Sequence, residues 1–169
     1  NNLTSLNVQN TSLKRLECQN NWDLSAFSFS TIAPTLEYIN CSDIGMEVLN
    51  FTNFLKLETV FIGYNFQDYN NIIDEITFSN CPKLVAVNQI ENKNKFDNIS
   101  ELNILNCPLI ENLEINNSQN FFSTLLTVTD CNSLTDLFAN KLSNTSLNIS
   151  SLTQLQNLTL YFTSIQSLN

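Results

Sequence analysis

Few side chains in this sequence are equipped for chemistry. Hydrolysis of a glycosidic bond needs two carboxylates, one protonated and one ionised. Asp74/Glu75, Glu111/Glu114 and Asp136 are the candidates for that role. There is no His, which removes His-dependent triads and His metal ligation. No P-loop, GxGxxG or GxSxG signature occurs. Of the five cysteines, Cys81, Cys107 and Cys131 recur at similar spacing, but three thiolates alone leave a metal site short of its fourth ligand. The expectation is therefore a chain that is not an enzyme and that holds no cofactor or metal.

The residues around these groups explain why they are not assembled for catalysis. One six-residue template, apolar-x-x-apolar-x-apolar, recurs along the whole chain. A first series reads LKRLEC from Leu13, LEYINC from Leu36, LETVFI from Leu57, LVAVNQ from Leu84, IENLEI from Ile110, LTDLFA from Leu134 and LQNLTL from Leu155. A second series starts at Leu3, Leu24, Met46, Ile73, Ile99, Ser123, Asn144 and Ile165. Each of the first seven members of the second series precedes the next of the first by 10 to 12 residues. The candidate carboxylates occupy ordinary outward slots of this template.

Physically, the last two apolar residues of each copy alternate with polar ones, as half-buried strands require. A single coil buries little. Stacked coils bury a continuous column of Leu and Ile and share ladder hydrogen bonds. The sequence thus predicts a β-rich solenoid over residues 1–169, with about seven coils, two parallel strand ladders and little helix. Leu16, Ile39, Val60, Val87, Leu113, Leu137 and Leu158 are expected to form one buried column.

Composition fits that architecture. Hydrophobic residues make up 43% and charged ones only 14%, with 29 Asn, two Gly and three Pro. Asn must then supply the left-handed turn positions that glycine usually fills. Net charge is −9, which disfavours nucleic acid and anionic membrane surfaces, since phosphate neutralisation needs clustered Lys and Arg. No apolar run is long enough to span a membrane as a helix. Cys18 and Cys41 fall in inward strand slots and the other three in a repeated turn slot, so inert buried packing is expected of all five. Nine Asn-x-Ser/Thr sequons occur, several of them in strand slots.

The segments ITFSNCPKL around Cys81, LNILNCPLI around Cys107, LTVTDCNSL around Cys131 and LKRLECQNN around Cys18 resemble leucine-rich repeats. The paired half-repeats are similar to those of bacterial secreted and cell-surface proteins. The resemblance implies a binding scaffold outside the cell or at the bacterial surface, associated with the outer membrane. It implies a protein partner, as for an accessory subunit of an outer-membrane assembly or an adhesin. A glycan ligand and a purely structural spacer are the alternatives. Because neither end shows a polar cap, the chain is expected to continue into other material or to pack against a partner.

Comparing the repeats with one another points to where binding would occur. The middle outward slot of the second series holds Asn7, Ser28, Asn50, Thr77, Asn103, Thr127, Asn148 and Asn169, all small and polar. A structural side-chain ladder is expected there. The same slot of the first series holds Glu17, Asn40, Phe61, Asn88, Glu114, Phe138 and Thr159, flanked by Arg15, Tyr38, Asp136 and Tyr161. Aromatics among amides and carboxylates suit recognition. The long spacers 63–72, 90–98 and 116–122 follow the first series on one edge and would add Tyr64, Phe66, Tyr69, Phe96, Phe121 and Phe122. These aromatics form either a binding edge or a cluster that ties the loops down.

Overall fold

A computed structural model describes residues 2–8, 12–63, 73–88, 94–96, 99–117 and 123–169. They form a β-solenoid of about six turns, with parallel strands and almost no helix. The sequence had suggested about seven coils. The one helical element among the described residues is a 3-10 turn, Phe29–Thr31. The strands are β1 Arg15–Glu17, β2 Tyr38–Asn40, β3 Val48–Thr52, β4 Thr59–Phe61, β5 Glu75–Ser79, β6 Ala86–Val87 and β7 Lys95–Phe96. They continue as β8 Glu101–Leu105, β9 Asn112–Asn116, β10 Leu125–Thr129, β11 Asp136–Asn140, β12 Ser146–Leu147, β13 Asn157–Tyr161 and β14 Ser167–Leu168.

Strands form where the template alternates. In β5 and β8 every second residue is buried and the others half-buried, so one face of each strand lines the core. A residue with left-handed backbone follows each long strand of the second series: Asn53 at φ 62°, Asn80 at 56°, Asn106 at 53° and Asp130 at 56°. Short polar side chains tolerate that conformation because they bond locally to the backbone. A tight turn comes next. Leu84 N–H donates to Cys81 O at 3.1 Å and Ile110 N–H to Cys107 O at 3.3 Å. Pro82 and Pro108 sit second in these turns, where a fixed φ is already correct.

The second-series ladder runs β3-β5-β8-β10, all parallel. Its inward columns are Leu49, Ile76, Leu102 and Leu126, and beside them Phe51, Phe78, Ile104 and Val128. Phe29, Phe51 and Phe78 stack across three coils, with centroids 5.2 Å and 5.1 Å apart. Each fully buried side chain of this size contributes about 1.5–3 kcal/mol relative to exposure.

The first-series ladder differs from its expectation. It is two sheets, β1-β2-β4-β6 and β7-β9-β11-β13. Leu16, Ile39, Val60 and Val87 align as one run, and Leu113, Leu137 and Leu158 as another. The single seven-residue column is thus broken between Val87 and Leu113. At the break, β7 lies in the ladder against β9 in place of β6.

Buried amides bridge the breaks. Asn94 is 1% exposed. Its Oδ1 accepts from Val87 N–H at 2.7 Å, and its Nδ2 donates to Val85 O at 3.3 Å. Those two groups are what a neighbouring parallel strand would satisfy. On its other side, Asn94 O accepts from Glu114 N–H at 2.8 Å and Nδ2 donates to Asn112 O at 3.1 Å. Asn144 does the same beyond β10. Its Oδ1 accepts from Leu126 N–H at 2.9 Å and its Nδ2 donates to Leu126 O at 2.8 Å. Past it, β12 and β14 form a separate two-stranded sheet.

Candidate recognition face

The outward side chains of the first-series strands form face A, and those of the second series face B. The middle row of face B is polar and bonded, with Val48 and Leu125 exposed along one side of it. Asn50, Thr77, Asn103 and Thr127 are in register. Asn103 Nδ2 donates to Thr77 Oγ1 at 3.2 Å and to Glu101 Oε1 at 2.9 Å. Thr77 Oγ1 donates to Glu75 Oε1 at 3.1 Å. No outward slot of β3, β5, β8 or β10 holds an aromatic ring.

Face A carries its rings in two clusters. In the first, β1, β2 and β4 bring Arg15, Glu17, Tyr38 and Phe61 together. The Arg15 guanidinium lies 3.6 Å over the Tyr38 ring, a cation–π contact. Arg15 Nε donates to Glu17 Oε1 at 2.8 Å, and a second guanidinium nitrogen bonds the same oxygen. That bond to Glu17 holds the Arg15 pKa above its ordinary value. Tyr38 and Phe61 lie 5.9 Å apart, tilted by 48°. Beside them, Asn40 Oδ1 accepts from Ser42 N–H and Oγ at 3.1 Å and 2.8 Å, which fixes the following turn.

The second cluster is built on β9, β11 and β13. Register places Phe138 beside Glu114 and Asp136 beside Asn112. Phe138 and Tyr161 lie 5.8 Å apart at 52°, and Tyr161 is 55% exposed. Asp136 accepts from Thr135 Oγ1 at 2.6 Å and Asn157 Nδ2 at 2.7 Å.

Two proposed surface residues are internal. Phe96 is 1% exposed and packs edge-on to Phe78 at 6.4 Å. It enters the core because β7 joins the ladder and turns this ring inward. Asn88 is 6% exposed. Its Oδ1 accepts from Ile62 N–H at 2.7 Å and Gly63 N–H at 3.2 Å, so the amide closes the end of a coil instead of facing solvent. Tyr64, Phe66, Tyr69, Phe121 and Phe122 lie outside the described residues.

The template gave no indication of the buried Asn21, Asn88, Asn94, Asn117 and Asn144, because one amide among 29 looks like another. The Arg15–Tyr38 contact was legible in principle, since both residues hold the third template position of adjacent copies.

All five cysteines are buried and free. The Cys81 thiol donates to Phe51 O at 3.0 Å, and Cys107 and Cys131 each face a carbonyl of the preceding coil. Burial pushes Cys18 up to about 11 and Cys131 up to about 12 from an ordinary 9.0. The neighbouring Cys81 thiol, together with burial, also holds Cys107 up. A thiol in the unfolded chain ionises at lower pH than these folded ones. Stability from burying neutral thiols is therefore complete below about pH 9 and is lost as pH rises toward the folded values. Urea midpoints measured from about pH 8 to about pH 11 should fall, and Cys131→Ala should reduce that slope. An unchanged slope in Cys131→Ala would show that other groups cause the fall.

Among the described residues, no group of three or more Cys, Asp or Glu is arranged to hold a metal ion. No family model, no curated protein and no solved structure matches the chain.

Proposed function

We propose that this protein is a non-enzymatic recognition module that binds a protein partner through face A. The observation that carries the reading is the asymmetry between the two faces. One ladder turns paired aromatic rings outward, while no outward slot of the other holds a ring and its middle row is bonded side chain to side chain. Exposed aromatics on a rigid scaffold are the usual anchors of protein interfaces. In this reading the solenoid is of the leucine-rich-repeat type, and each of the seven first-series copies marks one coil. The location is the bacterial cell surface or the extracellular space, as an adhesin or an accessory subunit of an outer-membrane assembly. The repeat resemblance supports both the type and the location.

A carbohydrate ligand is the second reading. The tilted pairs Tyr38–Phe61 and Phe138–Tyr161 favour it, since each offers ring surface beside hydrogen-bonding groups.

One double variant tests the proposal. Phe61→Ala with Phe138→Ala should weaken a co-purifying envelope partner by roughly tenfold or more per ring, with the melting curve changed far less than by a core substitution. Saturable binding to one sugar class on a glycan array, lost in the same variant, would replace the protein partner with a glycan. Full retention of every interaction by the variant would leave face A with no recognition role, as in a spacer.

A further inference from the structure

We propose that copies of this chain associate head to tail. The last coil of one copy docks on the first coil of the next, and the strand ladders continue across the contact. This association is independent of what face A binds.

Both end coils show apolar groups that interior coils hide. Inward slots of interior coils are closed, as at Ile39 and Val60, both 0% exposed. At the last coil, Leu158, Leu160 and Ile165 are only partly buried, and Leu168 is 47% exposed. Phe162 is 83% exposed and holds left-handed backbone at φ 49°, a conformation that suits Asn or Asp far better than an aromatic residue. At the first coil, Leu6, Leu13 and Leu16 are only partly buried, and Leu3 is 37% exposed. Elsewhere in this molecule the next coil covers such side chains. β13 and β14 end their sheets on one side and β1 ends its sheet on the other, so each end also presents unpaired backbone groups.

The distribution of charge selects another copy as the cover. The seven basic and sixteen acidic residues all lie between Lys14 and Lys141. Residues 1–13 and 142–169 contain no charged residue, no Pro and no Gly. Edge strands that stay single are normally guarded by Lys, Pro or bulges, whereas the buried centre of an interface is depleted of charge. In a body of net charge −9, two charge-free ends are where copies meet with the least repulsion.

The ladder sets the direction. Its strands are parallel at both ends, and Ser5 already bridges Ala26 in parallel. A copy shifted along the stack therefore presents its first strands parallel to the last strands of its neighbour. The shared template gives the register: Leu158 meets Leu16, and Leu168 meets Leu6. Lys14, Arg15 and Glu17 meet the uncharged Gln156, Asn157 and Thr159, so no like charges are opposed. The contact joins two different surfaces and does not close on itself, so it builds open chains with face A repeated along them.

Sedimentation of the whole chain over a wide concentration range tests this. The mass should rise past the dimer with concentration, and it should not fall in high salt, because no ion pair holds the contact. Phe162→Asp with Leu168→Asp blocks the tail, and Leu3→Asp with Ser5→Asp blocks the head. All four positions are exposed, so both variants should keep the circular dichroism of the wild type. Each blocked chain alone should self-associate at least about tenfold more weakly. An equimolar mixture of the two should form dimers and stop there, since one supplies only a head and the other only a tail. A wild-type chain that stays monomeric would leave the ends to an unlike partner and overturn the proposal. So would a head-blocked chain that still dimerises through its tail, a tail-blocked chain that self-associates like the wild type, or a mixture that forms no dimer.

Discussion

Replacing Phe78 with Ala should lower the unfolding free energy by about 3–5 kcal/mol, near the top of what one core truncation costs. Phe78 is fully buried. It stacks on Phe51 at 5.1 Å and 8°, meets Phe96 edge-on at 6.4 Å, and stands in register between Phe51 and Ile104. A solenoid has no second layer that could close over the hole, because each coil touches only its neighbours. The ring therefore holds two coil interfaces at once. Urea unfolding should show a lower midpoint, and a second transition if the coils on either side of Phe78 uncouple. Ser133→Ala, at a surface turn, should stay within about 0.5 kcal/mol of the wild type. A Phe78→Ala protein as stable as that control would mean the aromatic stack does not couple the coils.

The second large effect falls on a polar residue. Asn94→Ala removes the acceptor of Val87 N–H and the donor to Val85 O and Asn112 O, all at a residue 1% exposed. Each buried backbone group left without a partner costs about 1–3 kcal/mol, so the total should reach about 3 kcal/mol or more. Asn94→Asp should not rescue it. The carboxylate keeps an acceptor for Val87 but loses the donor that faces two carbonyls, and it buries a charge. Thermal melts of both variants check this directly. Asp matching the wild type would show that the amide donor plays no part in bridging the ladder.

Much of the fold was legible because a strand's period of two is a local property. The alternation in LNILNC or LTDLFA announces an inward and an outward side without any tertiary knowledge, and the Asn-rich turns announce their left-handed residues. The break in the first-series ladder was not legible. It depends on Asn94, Lys95 and Phe96 entering the stack, and nothing in their sequence NKF marks them as residues that join a sheet. Asn94 is one Asn among many and its sequence carries no sign of a role, and of the two readings open for Phe96, a binding edge or an internal cluster, the sequence alone could not choose the buried one that the structure shows. Tyr38, Phe61, Phe138 and Tyr161 were legible as outward residues because their slots follow from the template. That they pair across strands required knowing the register.

The two faces follow from the same geometry. Alternation commits half of each strand to the core and leaves the other half free to vary. On face B that freedom is used for mutual hydrogen bonds among Thr77, Asn103, Glu75 and Glu101. On face A it displays rings on a backbone that the ladder holds in place. Side chains on a fixed sheet lose little further freedom on binding, which favours affinity.

The central claim is a stack of parallel strands in which side-chain amides carry the ladder across its breaks. Nuclear Overhauser contacts in a selectively labelled sample test it most directly. Cross-coil contacts linking Leu113, Leu137 and Leu158 are expected, with a close contact from the Val87 amide proton to the Asn94 side chain. A Val87 amide that contacts Leu113 directly, with Asn94 in solvent, would contradict it.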